Sequence, residues 1–172
     1  MKTLLLYRHA KSAWDDAHLD DFDRPLAPRG RKAAPKMGRT LAARGLQPEL
    51  VLCSAAVRTQ QTWELTAPQL DGRSEIKILR SLYLASPAQI LRQIHRTADS
   101  VTRLMVIAHN PGLETLSLRL SGPASAAEER ARLGEKFPTA ALAVFELPQQ
   151  SWSDLQPNTA TLTAFLRPRD LD

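Results

Sequence analysis

The chain has 172 residues, 43% of them apolar and 24% charged, with a formal net charge of +5. That length suits a single domain, residues 1–172, large enough to bury a real core. The 23 basic residues are scattered, there is no basic tail, and aromatics make up only 5%. The chain therefore lacks both the basic stripe and the stacking residues of a nucleic-acid binder. A positive field that draws in phosphorylated substrates accounts for the charge. One cysteine, Cys53, excludes an internal disulfide. It reads as a small buried hydrophobe in a reducing compartment.

Thr3 to Tyr7 reads as a buried strand that ends in Arg8-His9. The apolar run is too short for a secretory core segment or a membrane span, so a cytoplasmic protein with no membrane contact is expected. Leu19 to Pro28 is a polar loop with Asp15, Asp16, Asp20, Asp21 and Asp23 on or near it. Their spacing fits no calcium loop, so they read as solvated, or as partners that pin the loop through Arg24, and no metal is expected. Arg29 to Arg44 reads as a helix with Ala33, Met37 and Leu41 on one face and Gly45 as its stop.

Leu50 to Cys53 is a second buried strand, followed by a helix from Val57 to about Gln69. Glu75 to Leu79 alternates like a short strand, and Pro87 to Arg96 reads as a helix that turns Ile90, Leu91 and Ile94 inward. Leu104 to Ala108 is a third buried strand, followed by a helix over Gly112 to Leu120. Ala141 to Leu147 and Thr161 to Leu166 read as an antiparallel pair at the sheet edge, joined by a loop containing Pro148, Pro157 and Asn158. Strands alternating with helices predict an α/β fold, a three-layer α/β/α sandwich around a mostly parallel sheet.

Three buried strands end on chemistry: Arg8-His9-Ala10, Ser54 to Thr59, and His109-Asn110-Pro111-Gly112. In a parallel sheet these ends share one edge, where ligands bind. That edge gathers Arg8, His9, Arg58 and His109. Arg58 and Gly112 also stand near helix N-termini, which favour anions. Two guanidinium groups and two imidazoles suit a tetrahedral dianion. Lys11 and Ser12, next in the loop after His9, are further candidates for phosphate contact. Trp14 is placed at the pocket mouth, Trp63 and Trp152 in the packing, and His18 and His95 on the surface.

The Arg8-His9-Ala10 start, the Ser54…Arg58-Thr59…Thr62 segment and the late His109-Asn110-Pro111-Gly112 resemble the histidine phosphatase superfamily, which includes phosphoglycerate mutases. The fuller match is to its small SixA-like phosphohistidine phosphatases. It rests on Leu-Tyr-Arg-His-Ala-Lys-Ser at 6–12, Asp-Arg-Pro-Leu at 23–26 with Arg29-Gly30, and His-Asn-Pro-Gly-Leu-Glu at 109–114. The resemblance spans residues 1–121. It implies a phosphoglycerate mutase-like fold, His9 as nucleophile through Nε2, and Arg8, Arg58 and His109 around the phosphoryl oxygens. It implies no cofactor and no metal.

The larger family members supply an Asp or Glu to protonate the leaving oxygen. Here Arg80-Ser81-Leu82-Tyr83 follows the strand near Leu79 with no acid, and His109 is followed by Asn110. Glu114, Asp21 and Asp23 remain as alternative donors. Alkyl phosphates need such an acid more than a labile P–N bond does. The missing acid therefore points to P–N substrates or to activated esters, and phosphohistidine in a protein is the favoured substrate. The alternatives are a small-metabolite phosphomonoesterase on the same scaffold and a non-catalytic module that binds a phosphorylated partner; a mutase ranks below these.

Overall fold

The computed structural model describes residues 1–148 and 151–171. Gln149 and Gln150 of the expected loop between the last two strands lie outside the described residues. The strands are β1 (Lys2–Arg8), β2 (Leu50–Ser54), β3 (Glu75–Leu79), β4 (Arg103–Ala108), β5 (Leu142–Leu147) and β6 (Thr161–Leu166). The helices are α1 (Pro28–Ala43), α2 (Val57–Thr66), α3 (Pro87–His95), α4 (Gly112–Leu120) and α5 (Ala127–Glu135). Short 3-10 turns include Asp21–Asp23, Ala67–Gln69 and Arg80–Leu82.

The strands form one six-stranded sheet in the order β3-β2-β4-β1-β5-β6. β1, β2, β3 and β4 are parallel, β5 runs antiparallel to β1, and β6 antiparallel to β5. Leu4 and Leu6 face a core with Leu113, Leu116 and Phe145, whereas Leu5 and Tyr7 face Met37, Leu41 and Trp63. Helices therefore cover both faces of the central strands, which explains why those strands are continuously apolar. Edge strand β3 departs from this rule, since Glu75 to Ile78 are exposed.

The expected elements are present, with shifted ends. α1 begins at Pro28, whose fixed φ suits a first helical position. The expected helix to Gln69 splits into α2 and a 3-10 turn, because Pro68 cannot donate to an α-helical ladder. α5 has no counterpart in the sequence reading. Only Leu133 of its nine residues is buried, so it carries no apolar stripe to detect. Among the described residues, no helix is long and apolar enough to cross a membrane.

The loop after His9 is held from several sides. Ala10 N–H donates to Thr62 Oγ1 at 2.9 Å, Ala27 N–H to Lys11 O at 2.9 Å, and Ala13 N–H to Pro25 O at 2.8 Å. Helix α1 meets this loop at Gly30, where a Cβ would lie 2.2 Å from Lys11 O. Backbone cannot yield as a side-chain tip can. Gly30→Ala is expected to cost about 1–3 kcal/mol and to lower turnover by shifting the loop. Urea unfolding together with kcat measures both, and an unchanged midpoint would show that the helix slides freely.

Candidate active site

β1 and β4 are neighbours in register, Arg8 opposite Ala108, and His9 N–H donates to Ala108 O at 3.3 Å. That pairing sets His9 beside His109, with ring centroids 5.3 Å apart. β2 ends at Ser54, and α2 then carries Arg58 in its first turn. Arg8, His9, Arg58 and His109 thus line one pocket of about 280 Å³, together with Lys11, Ser12, Arg24, Trp14, Leu84, Asn110 and Thr139. His18 is exposed and outside it. His95 is half-buried rather than on the surface, its Nε2 donating to Leu155 O at 2.8 Å. Trp63 and Trp152 are buried in the cores.

His9 Nδ1 lies 2.8 Å from Ala10 O. A carbonyl only accepts, so Nδ1 carries the proton and Nε2 keeps its lone pair. Burial, with the cations Arg58, Arg8 and Arg24 nearby, pushes the His9 pKa down to about 3. The imidazole is therefore neutral, with Nε2 unprotonated.

His109 is likewise pushed down to about 3 by burial, by His9 and by Arg58. Arg58 Nη2 reaches its Nδ1 at 3.4 Å, and Ser54 Oγ lies 2.7 Å from its Nε2. A guanidinium only donates, so this arrangement makes Nε2–H the donor to Ser54. In the other tautomer, reached by proton exchange with solvent, the Ser54 hydroxyl donates to Nε2, and Nδ1 carries the one ring proton and can turn it to a phosphoryl oxygen in place of the Arg58 contact.

Arg8 Nη1 donates to Phe137 O at 2.9 Å, as does Asn110 Nδ2. Arg58 Nη1 donates to Asp21 O at 2.7 Å and Nη2 to Asp21 Oδ2 at 3.0 Å. Arg24 donates to Asp21 Oδ1 at 2.9 Å from Nη2 and 3.1 Å from Nε. Tyr83 O–H donates to Asp21 Oδ2 at 2.5 Å and packs edge-on against His109. Partial burial raises the Asp21 pKa, but the bond from Tyr83 and the charge of Arg58 outweigh it, and the net value is about 2. Asp21 is therefore an ionised anchor for two arginines.

Among the alternative acids, Asp21 is fixed as a carboxylate, while Asp23 and Glu114 are absent from the pocket lining. Sequence reading assigned no role to Tyr83 or to the Ser54 hydroxyl. It placed Arg24 only as a pin for the loop. The structure shows that pin and also places Arg24 in the pocket wall, stacked 3.3 Å from the ring of Trp14. Ser12 lines the pocket and Trp14 is exposed at its rim.

The two neutral imidazoles make stability depend on pH. Between about 3 and 6.5 the unfolded chain binds protons on His9 and His109 that the fold does not, so stability rises with pH across this window. Asp21 contributes stability that is present above its unfolded value and lost as pH falls towards about 2. Urea midpoints are expected to fall steadily from pH 7 to pH 4, and His9→Gln to flatten the slope. A flat profile for the wild type would show that the imidazoles charge freely in the fold.

A helix-covered, mostly parallel sheet with this carboxyl-edge pocket is a phosphoglycerate mutase-like α/β fold. A family model described as the histidine phosphatase superfamily (branch 1) matches residues 4–83. The SixA protein of Agrobacterium tumefaciens is 30% identical, with a TM-score of 0.80 over 97% of this chain and 98% of that one. The SixA protein of Nakamurella multipartitia is 27% identical, with a TM-score of 0.82 over 97% and 96%. An uncharacterised protein of Mycobacterium tuberculosis is 39% identical over 165 residues, 94% of this chain and 99% of that protein. The chain belongs to the histidine phosphatase superfamily as a SixA-like member, and this membership supports phosphatase activity.

Proposed function

We propose that the protein hydrolyses phosphohistidine in proteins through a covalent phosphohistidine on His9. His9 Nε2 attacks phosphorus in line, and the P–N bond of the substrate breaks. The departing imidazole takes its proton from solvent. Arg8, Arg58 and the Nδ1–H form of His109 hold the equatorial oxygens and stabilise the charge of the transition state. The retained Nδ1 proton, held on Ala10 O, keeps the phosphorylated ring cationic and Nε2 a good leaving group. Water then attacks phosphorus, Nε2 leaves with its electron pair, and phosphate departs. The positive charge comes from side chains, so the reading needs no metal.

The observation that carries the substrate class is the composition of the pocket wall. It holds Arg8, Lys11, Arg24 and Arg58 but no carboxylate, and the nearby Asp21 is held ionised. A site whose wall holds no carboxylic acid to protonate the leaving group suits one that protonates easily, as a phosphoramidate nitrogen does, and serves an alkoxide poorly. The two SixA neighbours carry the name phosphohistidine phosphatase as a provisional assignment, which agrees with this reading.

The test is phosphate release from a phosphohistidine-bearing protein with an alkyl phosphomonoester in parallel. His9-dependent release from the P–N substrate, about 10³-fold faster than from the ester, is expected from the missing acid. Comparable rates on both would overturn the substrate class and favour a metabolite phosphomonoesterase.

A further inference from the structure

A second depression, about 670 Å³ in volume, adjoins the catalytic pocket and shares Lys11 and Thr139 with it. Its walls come from the first half of α1, from residues 135–139 ahead of β5, and from the turn after β6. Seven of its twelve lining residues are Lys or Arg, and Glu135 is the one carboxylate among them. The first turn of α1 carries no acid, so nothing there offsets the positive end of the helix.

We propose that this cleft docks an acidic segment of the phosphorylated protein substrate, next to the phosphoryl group on which His9 acts. The inference rests on the phosphohistidine reading above and adds the chemistry that selects the partner. Crowding cations around one concavity costs stability by repulsion, and an anionic partner reverses that cost. The walls are fixed in place. Arg167 is buried and donates to Asp170 at 2.7 Å from Nε and 3.3 Å from Nη2, while Gly30 seats α1 directly on the backbone of Lys11.

The form of the cleft favours a peptide over other polyanions. It has more than twice the volume of the catalytic pocket, so it exceeds the needs of a single phosphate. No aromatic side chain lines it, so bases would have no stacking platform. Ala33, Pro138 and Pro168 interrupt the cations with apolar surface that suits extended backbone and the stems of Glu side chains.

The experiment uses two peptides, each with one histidine, flanked by four glutamates or by four glutamines. Fluorescence anisotropy of the unphosphorylated, labelled peptides reads docking alone. Turnover of the same peptides after phosphorylation by phosphoramidate, and of phosphoramidate itself, reads catalysis. The Glu peptide is expected to bind about tenfold or more tightly than the Gln peptide at low salt, with the gap closing near 0.5 M salt. Its advantage in turnover is expected in KM. The exposed pair Lys32→Glu/Lys136→Glu is expected to abolish the preference while leaving phosphoramidate hydrolysis unchanged. Equal binding of both peptides, or binding of inorganic pyrophosphate with none of the Glu peptide, would overturn the docking assignment. Loss of His9-dependent turnover on every P–N substrate would instead overturn the phosphohistidine reading, since the anisotropy result stands apart from it.

Discussion

His9→Ala is expected to lower turnover by about 10⁴-fold or more, because it removes the nucleophile of the proposed covalent route. The fold should persist. The bond the His9 ring makes is local, from Nδ1 to Ala10 O, and the chain around it is held by Thr62. Arg8 and Arg58 remain in place, so the variant should still bind phosphohistidine substrate and hold it unturned. Binding and turnover measured side by side distinguish loss of the nucleophile from collapse of the pocket. A variant that neither binds nor turns over would point to collapse. One that turns over at a tenth of the wild-type rate would remove His9 from the chemistry.

Arg58→Ala is expected to reduce kcat/KM by about 10³-fold, the scale of removing a preorganised donor to a developing anion. Arg58 is buried, and one guanidinium spans Asp21 O, Asp21 Oδ2 and His109 Nδ1. A lysine ammonium is a single point and cannot reproduce that fork, so Arg58→Lys should recover only about tenfold. Stability should suffer less than activity, because the side chain of Asp21 is 42% exposed and stays solvated. Urea midpoints beside kcat/KM test this. A stability loss in proportion to the activity loss would make Arg58 a structural ion pair only.

Much of the site was legible because buried parallel strands announce themselves. Leu4 to Tyr7, Leu50 to Cys53 and Leu104 to Ala108 are apolar without alternation, covered on both faces, and each ends at a polar group. Placing those ends on one edge gathers Arg8, His9, Arg58 and His109 from sequence alone. The Tyr83–Asp21–Arg58 linkage was not legible, since its members are 62 and 37 positions apart and meet only through the fold. Helix α5 was hidden because it buries a single residue. The last fifty residues showed no motif, yet they supply seven of the twelve residues that line the basic cleft, Lys136, Arg167 and Arg169 among them, because a charged wall needs no sequence pattern.

Acid-free rapid quenching reads the covalent step on His9. Enzyme mixed with a radiolabelled phosphohistidine peptide and quenched in alkaline denaturant should carry the label on His9. That label should be alkali-stable and acid-labile, appear before free phosphate, and be missing from His9→Ala. Phosphate released in the first turnover with no labelled enzyme, or a label carried by another residue, would contradict it.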